Sequence, residues 1–198
     1  MTARAEAVEA TREAICEAAV ALWLDVHYDD MTLDEIAARA GTTRQTVLRH
    51  YGSKEGVALA ASEWFSPRIE AATKVEPGDV AAAVSAIVSQ YETMGDANAR
   101  LLEIEDRVAE AHELLERGRA SHRRWIERSF APFVERVDGS EREHLVDALY
   151  AATELMVWKL LRRDFGRSAE ATEAVLNTLV RGVLATISHP NPSSGEPS

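Results

Sequence analysis

Residues 32–54 read TLDEIAARAGTTRQTVLRHYGSK. Thr32 and Glu35 stand at the spacing of a capping box: the Thr32 hydroxyl accepts an orphan amide of the first turn, and the Glu35 carboxylate reaches back to the Thr32 amide. Ile36, Ala37 and Ala40 then place a small apolar stripe on a helix of about two turns. Gly41 stops it, because a glycine beyond the last turn takes the left-handed backbone without steric cost. Thr42 and Gln45 repeat the capping-box spacing at once, so a second helix is expected after a very tight turn. Val47 is its buried anchor, with Leu48 and Tyr51 as partners. Helix, glycine turn and recapped helix together make a helix-turn-helix over residues 32–51.

The chemistry of the second helix points to DNA. Its first turn carries Thr43, Arg44, Gln45 and Thr46, and recognition helices touch base edges with residues near their N-terminus. Arginine suits guanine O6 and N7, glutamine suits adenine N6 and N7, and threonine methyls meet the thymine methyl. Arg39, Arg44, Arg49 and Lys54 supply positive charge, and the recapped helix holds no Asp or Glu. Ser53 can cap the next helix, whose free amides suit a phosphate. The candidate DNA-contacting set is therefore Thr32, Thr42, Thr43, Arg44, Gln45, Thr46, Arg49, His50, Tyr51 and Lys54. The competing reading is a helical hairpin with no nucleic-acid partner.

These residues carry a family resemblance. The stretch resembles the DNA-binding domain of the TetR family of transcriptional regulators, from about Glu9 to Ile69 and most strongly over Thr32–Glu55. Arg12, Ala18, Ala19 and Leu22 fit the family's first helix, and Ile36-Ala37 and Ala40-Gly41 fit its second. Arg49-His50-Tyr51 and Ser53-Lys54-Glu55 fit the end of the third and the start of the fourth. Two positions depart. His27 stands where the family usually has glycine before an aromatic, so a strained or differently shaped first turn is expected. Leu48 stands where a phosphate-contacting tyrosine is common, so that contact is expected to be lost. The resemblance implies an all-α chain of about nine helices: a three-helix DNA-binding domain at 9–69 and a larger C-terminal helical domain at 70–188 for ligand binding and dimerisation.

Composition bounds the function classes. With 198 residues and 46% hydrophobic content, the chain can build a real core. The formal charge of −11 disfavours non-specific DNA affinity, but phosphate contacts depend on local fields more than on the total. The single cysteine, Cys16, excludes an intramolecular disulfide and agrees with a reducing compartment; beside an apolar stripe it reads as packing. No stretch is apolar for long enough to span a bilayer, and there is no secretory pattern, so the protein is expected in the cytoplasm. No Ser/His/Asp arrangement, phosphate loop or metal cluster is present, so neither enzyme activity nor a cofactor is expected. His112 and His122 lack metal-ligand spacing and read as solvated or capping. Arg117, Arg119, Arg123, Arg124 and Arg128 read as a solvated face paired with Glu, the other reading being an anionic effector.

The rest of the chain is read from its 3.6-residue periodicity. Residues 3–26 form one helix with Ile15, Ala18, Ala19 and Leu22 on one face, and Tyr28 joins the small core. A fourth helix from Ser53 carries Val57, Trp64 and Phe65, and Pro67 should end or kink it. That helix is expected to be the only covalent path from the reading head. After a loop at 73–79, helices are expected at Pro77–Met94 (stopped by Gly95), Asn98–Glu110, His112–Ala131, Glu141–Arg163 and Ala169–Ser188. In the third of these, Leu115, His122, Trp125, Ile126 and Phe130 lie on one side, and Pro132 kinks or restarts the chain. The last two are so apolar that a two-fold dimer, with a four-helix bundle between copies, is the simplest cover. Leu145, Leu149, Ala152, Val175, Leu176, Leu179 and Val183 are the expected seam. Trp64, Tyr91, Met94, Trp125, Met156 and Trp158 are either plain core or the lining for a small hydrophobic effector. Residues 189–198 read as a disordered tail. The function expected is a ligand-responsive repressor that binds palindromic operator DNA as a homodimer. The alternative is a dimeric helical module that binds a small molecule or protein without DNA.

Overall fold

The computed structural model describes residues 3–188, and among these there is helix but no strand; the expected tail at 189–198 lies outside the described residues. The order is α1 (Ala3–Asp25), a 3₁₀ turn (Tyr28–Asp30), α2 (Leu33–Arg39), α3 (Arg44–Tyr51), α4 (Lys54–Ala72), α5 (Val80–Leu102) and α6 (Ala109–Ser129). There follow α7 (Ala131–Val134), α8 (Gly139–Ala152), α9 (Leu155–Lys159), a π-helical turn (Leu160–Asp164) and α10 (Ala169–Ser188).

The chain divides into two compact units. One runs to Ala72 and resumes over Met94–Arg119; the other takes Thr73–Thr93 and the chain from Ala120 onward. The first unit is built on α1, which packs against α4 and α2, while α3 packs between α2 and α4. Ile15, Ile36, Val47 and Val57 meet in its core at 0% exposure, each contributing about 1.5–3 kcal/mol by burial. Leu101, Ile104, Ala111 and Leu115 join the same core. Helix α4 is still the only covalent path out of residues 9–69, but the chain returns to pack on this unit over Met94–Arg119.

The second unit packs α8 against α10 over Val84, Phe130, Val146, Leu149, Trp158, Leu176 and Val180, all fully buried. Gly78 donates its amide to the Ser129 carbonyl at 2.8 Å with φ +93°, and a Cβ there would stand 3.3 Å from the Pro132 ring. Pro132 restarts the helix as expected, within the first turn of α7.

Several expected boundaries differ: the helix expected at Asn98–Glu110 is divided between the end of α5 and the start of α6. Pro67 does not end α4, which continues to Ala72; Pro67 and Glu63 are both exposed, so the carbonyl that loses its partner can meet water. Gly95 does not stop α5, which runs to Leu102 with Gly95 buried. A glycine ends a helix by taking positive φ, and Gly95 does not. The expected helix 141–163 breaks at Thr153 (φ −116°, ψ 11°), and the extended Glu154 caps α9 by accepting from the Met156 amide at 2.5 Å. His27 is unstrained, at φ −67° and ψ 148°; the turn after α1 needs no glycine.

Candidate nucleic-acid interface

The first reading helix is fixed at both ends. The Glu35 amide donates to Thr32 Oγ1 at 3.2 Å, and the Thr32 amide donates to Glu35 Oε2 at 3.1 Å, closing the capping box. At the far end Gly41 takes φ +64°. Its amide donates to the Ala38 carbonyl at 3.2 Å, and the Thr42 amide donates to the Ala37 carbonyl at 2.9 Å. This pair of bonds is a Schellman motif, which satisfies the last carbonyls of α2. It also uses Thr42, so the second cap falls one residue later than expected. Thr43, extended at φ −108° and ψ 152°, accepts from the Thr46 amide at 3.2 Å. The expected capping box of Thr42 with Gln45 does not form.

With Val47 fully buried beneath it, α3 turns Arg44, Gln45 and Arg49 outward, next to its exposed cap Thr43. Thr46 and His50 are half-buried at the edge of that face, and Thr46 Oγ1 lies 3.0 Å from Thr43 Oγ1. Asp34, which sequence reasoning passed over, places Oδ2 3.8 Å from Arg44 Nε. Both groups are exposed, so the pair orients Arg44 with little energy.

Three members of the expected set serve the head itself. The Tyr51 hydroxyl donates to the Arg12 carbonyl at 3.1 Å and lies 3.3 Å from Cys16 Sγ; burial pushes its pKa up to about 12. Lys54 Nζ donates to the Tyr28 carbonyl at 2.9 Å and sits 4.4 Å above the Tyr28 ring. The Thr32 hydroxyl donates to Glu35 within its own box, at 2.7 Å. Ser53 caps α4 as expected, accepting from the Gly56 amide at 3.1 Å.

The expected effector-lining residues fall in both units. Tyr91, Trp125 and Trp158 are buried in the second unit, and each polar tip has a partner. The Tyr91 hydroxyl donates to the Thr153 carbonyl at 3.0 Å, Trp125 Nε1 to the Thr73 carbonyl at 3.1 Å, and Trp158 Nε1 to Glu92 Oε1 at 2.7 Å. Trp64 packs on the core of the first unit with the Arg68 guanidinium 3.7 Å over its ring. Met94 also belongs to that unit, and Met156 is 48% exposed on α9. His122, expected to be solvated or capping, is packed instead. Its ring lies 4.5 Å from Tyr150 and 5.5 Å from Trp125, with Nε2 3.0 Å from Thr153 Oγ1; burial lowers its pKa to about 4.

On the arginine-rich face of α6, Arg117 pairs with Glu63 and Glu113, Arg119 with Glu105 and Glu116, and Arg123 with Asp147. Among the described residues no group of three or more His, Cys, Asp or Glu is placed to hold a metal ion, and no helix is long and apolar enough to cross a membrane. The expected seam also divides: Leu145, Leu149, Ala152 and Leu176 are buried in the chain's own core, Val183 is half-buried, and Val175 and Leu179 are 38% and 41% exposed.

A recapped helix-turn-helix with a cationic outward face, carried on an all-helical chain, defines a DNA-binding regulator. Residues 15–61 match the family model for bacterial regulatory proteins of the tetR family. The match covers this N-terminal domain, which is of the TetR-family DNA-binding type. The fold of the chain is similar to that of a TetR-family transcriptional regulator from Streptomyces coelicolor, with 18% identity, TM-score 0.68 and coverage of 94% of this chain and 92% of that one. It is also similar to a proposed TetR-family regulator from Mesorhizobium loti, at 18% identity and TM-score 0.62, covering 94% and 98%. A proposed transcriptional regulator from Pseudomonas aeruginosa PAO1 shares 15% identity at TM-score 0.65, covering 91% and 93%. No curated protein matches the chain significantly.

Proposed function

We propose that this chain is a ligand-responsive repressor that binds a palindromic operator as a homodimer in the cytoplasm and is released by a small hydrophobic effector. Thr43, Arg44, Gln45, Thr46, Arg49 and His50 read and grip the DNA, one α3 in each of two successive major grooves. The observation that carries this reading is the outward face of α3, where Arg44, Gln45 and Arg49 are exposed over the buried Val47. A helix-turn-helix of this kind needs two half-sites about 34–36 Å apart, and the exposed Val175 and Leu179 of α10 offer an apolar face to a second copy. For the effector, support comes from the aromatic side chains Trp125 and Tyr150, each set against the His122 ring. An effector need only favour an arrangement of the two reading heads that cannot span both grooves.

The test starts from duplexes that the full-length protein selects from a random-sequence pool. Arg44→Ala should weaken binding to the selected duplex by roughly tenfold to a hundredfold, the loss of one bidentate base contact. It should also blur the preference at one base pair of each half-site. Unchanged affinity and preference in a gel-shift series would remove Arg44 from base reading.

A second reading, a dimeric helical module without DNA, draws on the inward-turned Tyr51 and Lys54 and the net charge of −11, which together thin out the phosphate contacts. Retention on duplex DNA that falls steeply with salt separates the two.

A further inference from the structure

Helix α1 ends without the usual devices. It has no basic residue in its last turn, and His27 follows where a left-handed glycine could close the end. Its last carbonyls are instead met from far along the chain. Arg100 Nη2 donates to the Leu24 carbonyl at 2.9 Å and the Trp23 carbonyl at 3.2 Å, and lies 3.5 Å from the Val26 carbonyl. A charged donor at the negative end of a helix is a strong hydrogen-bonding cap. Just beyond, Arg107 pairs with Asp29, and Lys54 holds the Tyr28 carbonyl. Leu101 and Ile104, on either side of the bend after α5, are buried in the same core as Ile15 and Ile36.

We infer that Arg100 is a positioning residue for DNA reading: it caps α1 and sets the turn from Val26 to Met31 out of which α2 starts. Because α3 packs on α2, a shift at that turn moves Arg44 and Gln45 relative to the bases. The affinity readout rests on the DNA-binding reading above; the backbone readout does not.

The experiment uses the full chain, amide hydrogen exchange, and the duplex that the wild-type protein selects from a random pool. Arg100→Met keeps the apolar stem and removes the donors. It should speed exchange across Val26–Ile36 while leaving the middle of α4 unchanged, and weaken binding by about tenfold, or about 1.4 kcal/mol. Arg100→Lys restores the charge without the planar fork and should recover part of both. Wild-type exchange and affinity in Arg100→Met overturn the inference, as does a uniform rise in exchange with affinity restored once the folded fraction is corrected. If Arg100→Met does not fold, Arg107→Gln replaces it, with faster exchange over Tyr28–Leu33 and roughly threefold weaker binding expected; no change in either overturns the proposal. If the wild-type chain selects no duplex, the DNA reading itself fails, and exchange alone decides the α1 cap.

Discussion

The His122 imidazole is wedged against Tyr150 and Trp125, where burial lowers its pKa from 6.5 to about 4. The unfolded chain takes up a proton below pH 6.5, whereas the folded chain does so only near pH 4. The stability that neutral His122 contributes is therefore complete above pH 6.5 and is lost as pH falls from 6.5 towards 4. Glu92 and Glu105, held below the ordinary carboxylate range by hydrogen bonds from Arg162 and Arg119, keep their contribution down to more acidic pH. Urea midpoints should therefore fall between pH 6.5 and 4.5 in the native chain and fall less in His122→Gln. Equal slopes would place the titration elsewhere. The packing of His122 was legible: its spacing from Trp125 and Ile126 puts it on the apolar side of α6. Its residue type, between neighbouring arginines, argued for water, and here periodicity was the better guide. Lys54 shows the opposite case. Its position at the start of α4 suggests a phosphate contact, and only the fold brings the Tyr28 carbonyl within 2.9 Å of its ammonium.

At the scale of elements, the start of α3 turns on a competition that two adjacent threonines leave open. Either hydroxyl can cap a helix, and the sequence spacing of Thr42 with Gln45 favours the earlier one. The Schellman end of α2 decides the matter by taking the Thr42 amide, so the hydroxyl of Thr43 does the capping. Thr43→Ala should cost about 1 kcal/mol, read as a lower thermal midpoint, whereas Thr42→Ala should stay within about 0.5 kcal/mol. Equal losses would mean that the two threonines share the cap. Helix centres were legible because apolar periodicity repeats over many residues. The ends at Pro67, Gly95 and Thr153 were not, because each depends on what lies opposite. Exposure lets α4 run through Pro67, burial keeps Gly95 helical, and the carboxylate of Glu154 restarts the chain after Thr153.

At the scale of the whole chain, the helix-turn-helix was readable because its signals are local, whereas the return of residues 94–119 into the first unit was not. No periodicity announces that Arg100 will meet carbonyls 74–77 residues earlier. The proposed seam between copies meets the same limit. Sequence marks α8 and α10 as too apolar for a surface, but most of that apolar area covers the chain's own core, with Leu149 and Leu176 at 0% exposure. What faces outward is Val175 and Leu179 on α10, with Met156, Leu160 and Phe165 on α9, in the π turn and just after it. Large apolar side chains exposed on one helix, as Val175 and Leu179 are on α10, suit a partner surface. Leu179→Glu should convert a dimer to a monomer at micromolar concentration in sedimentation or light scattering. Loss of the second half-site should then cost roughly a hundredfold or more in affinity for a palindromic duplex, while the thermal transition stays cooperative. Leu149→Glu should instead unfold the chain, because it buries a charge in a filled core. A Leu179→Glu variant that remains dimeric and binds at full strength would move the seam off α10.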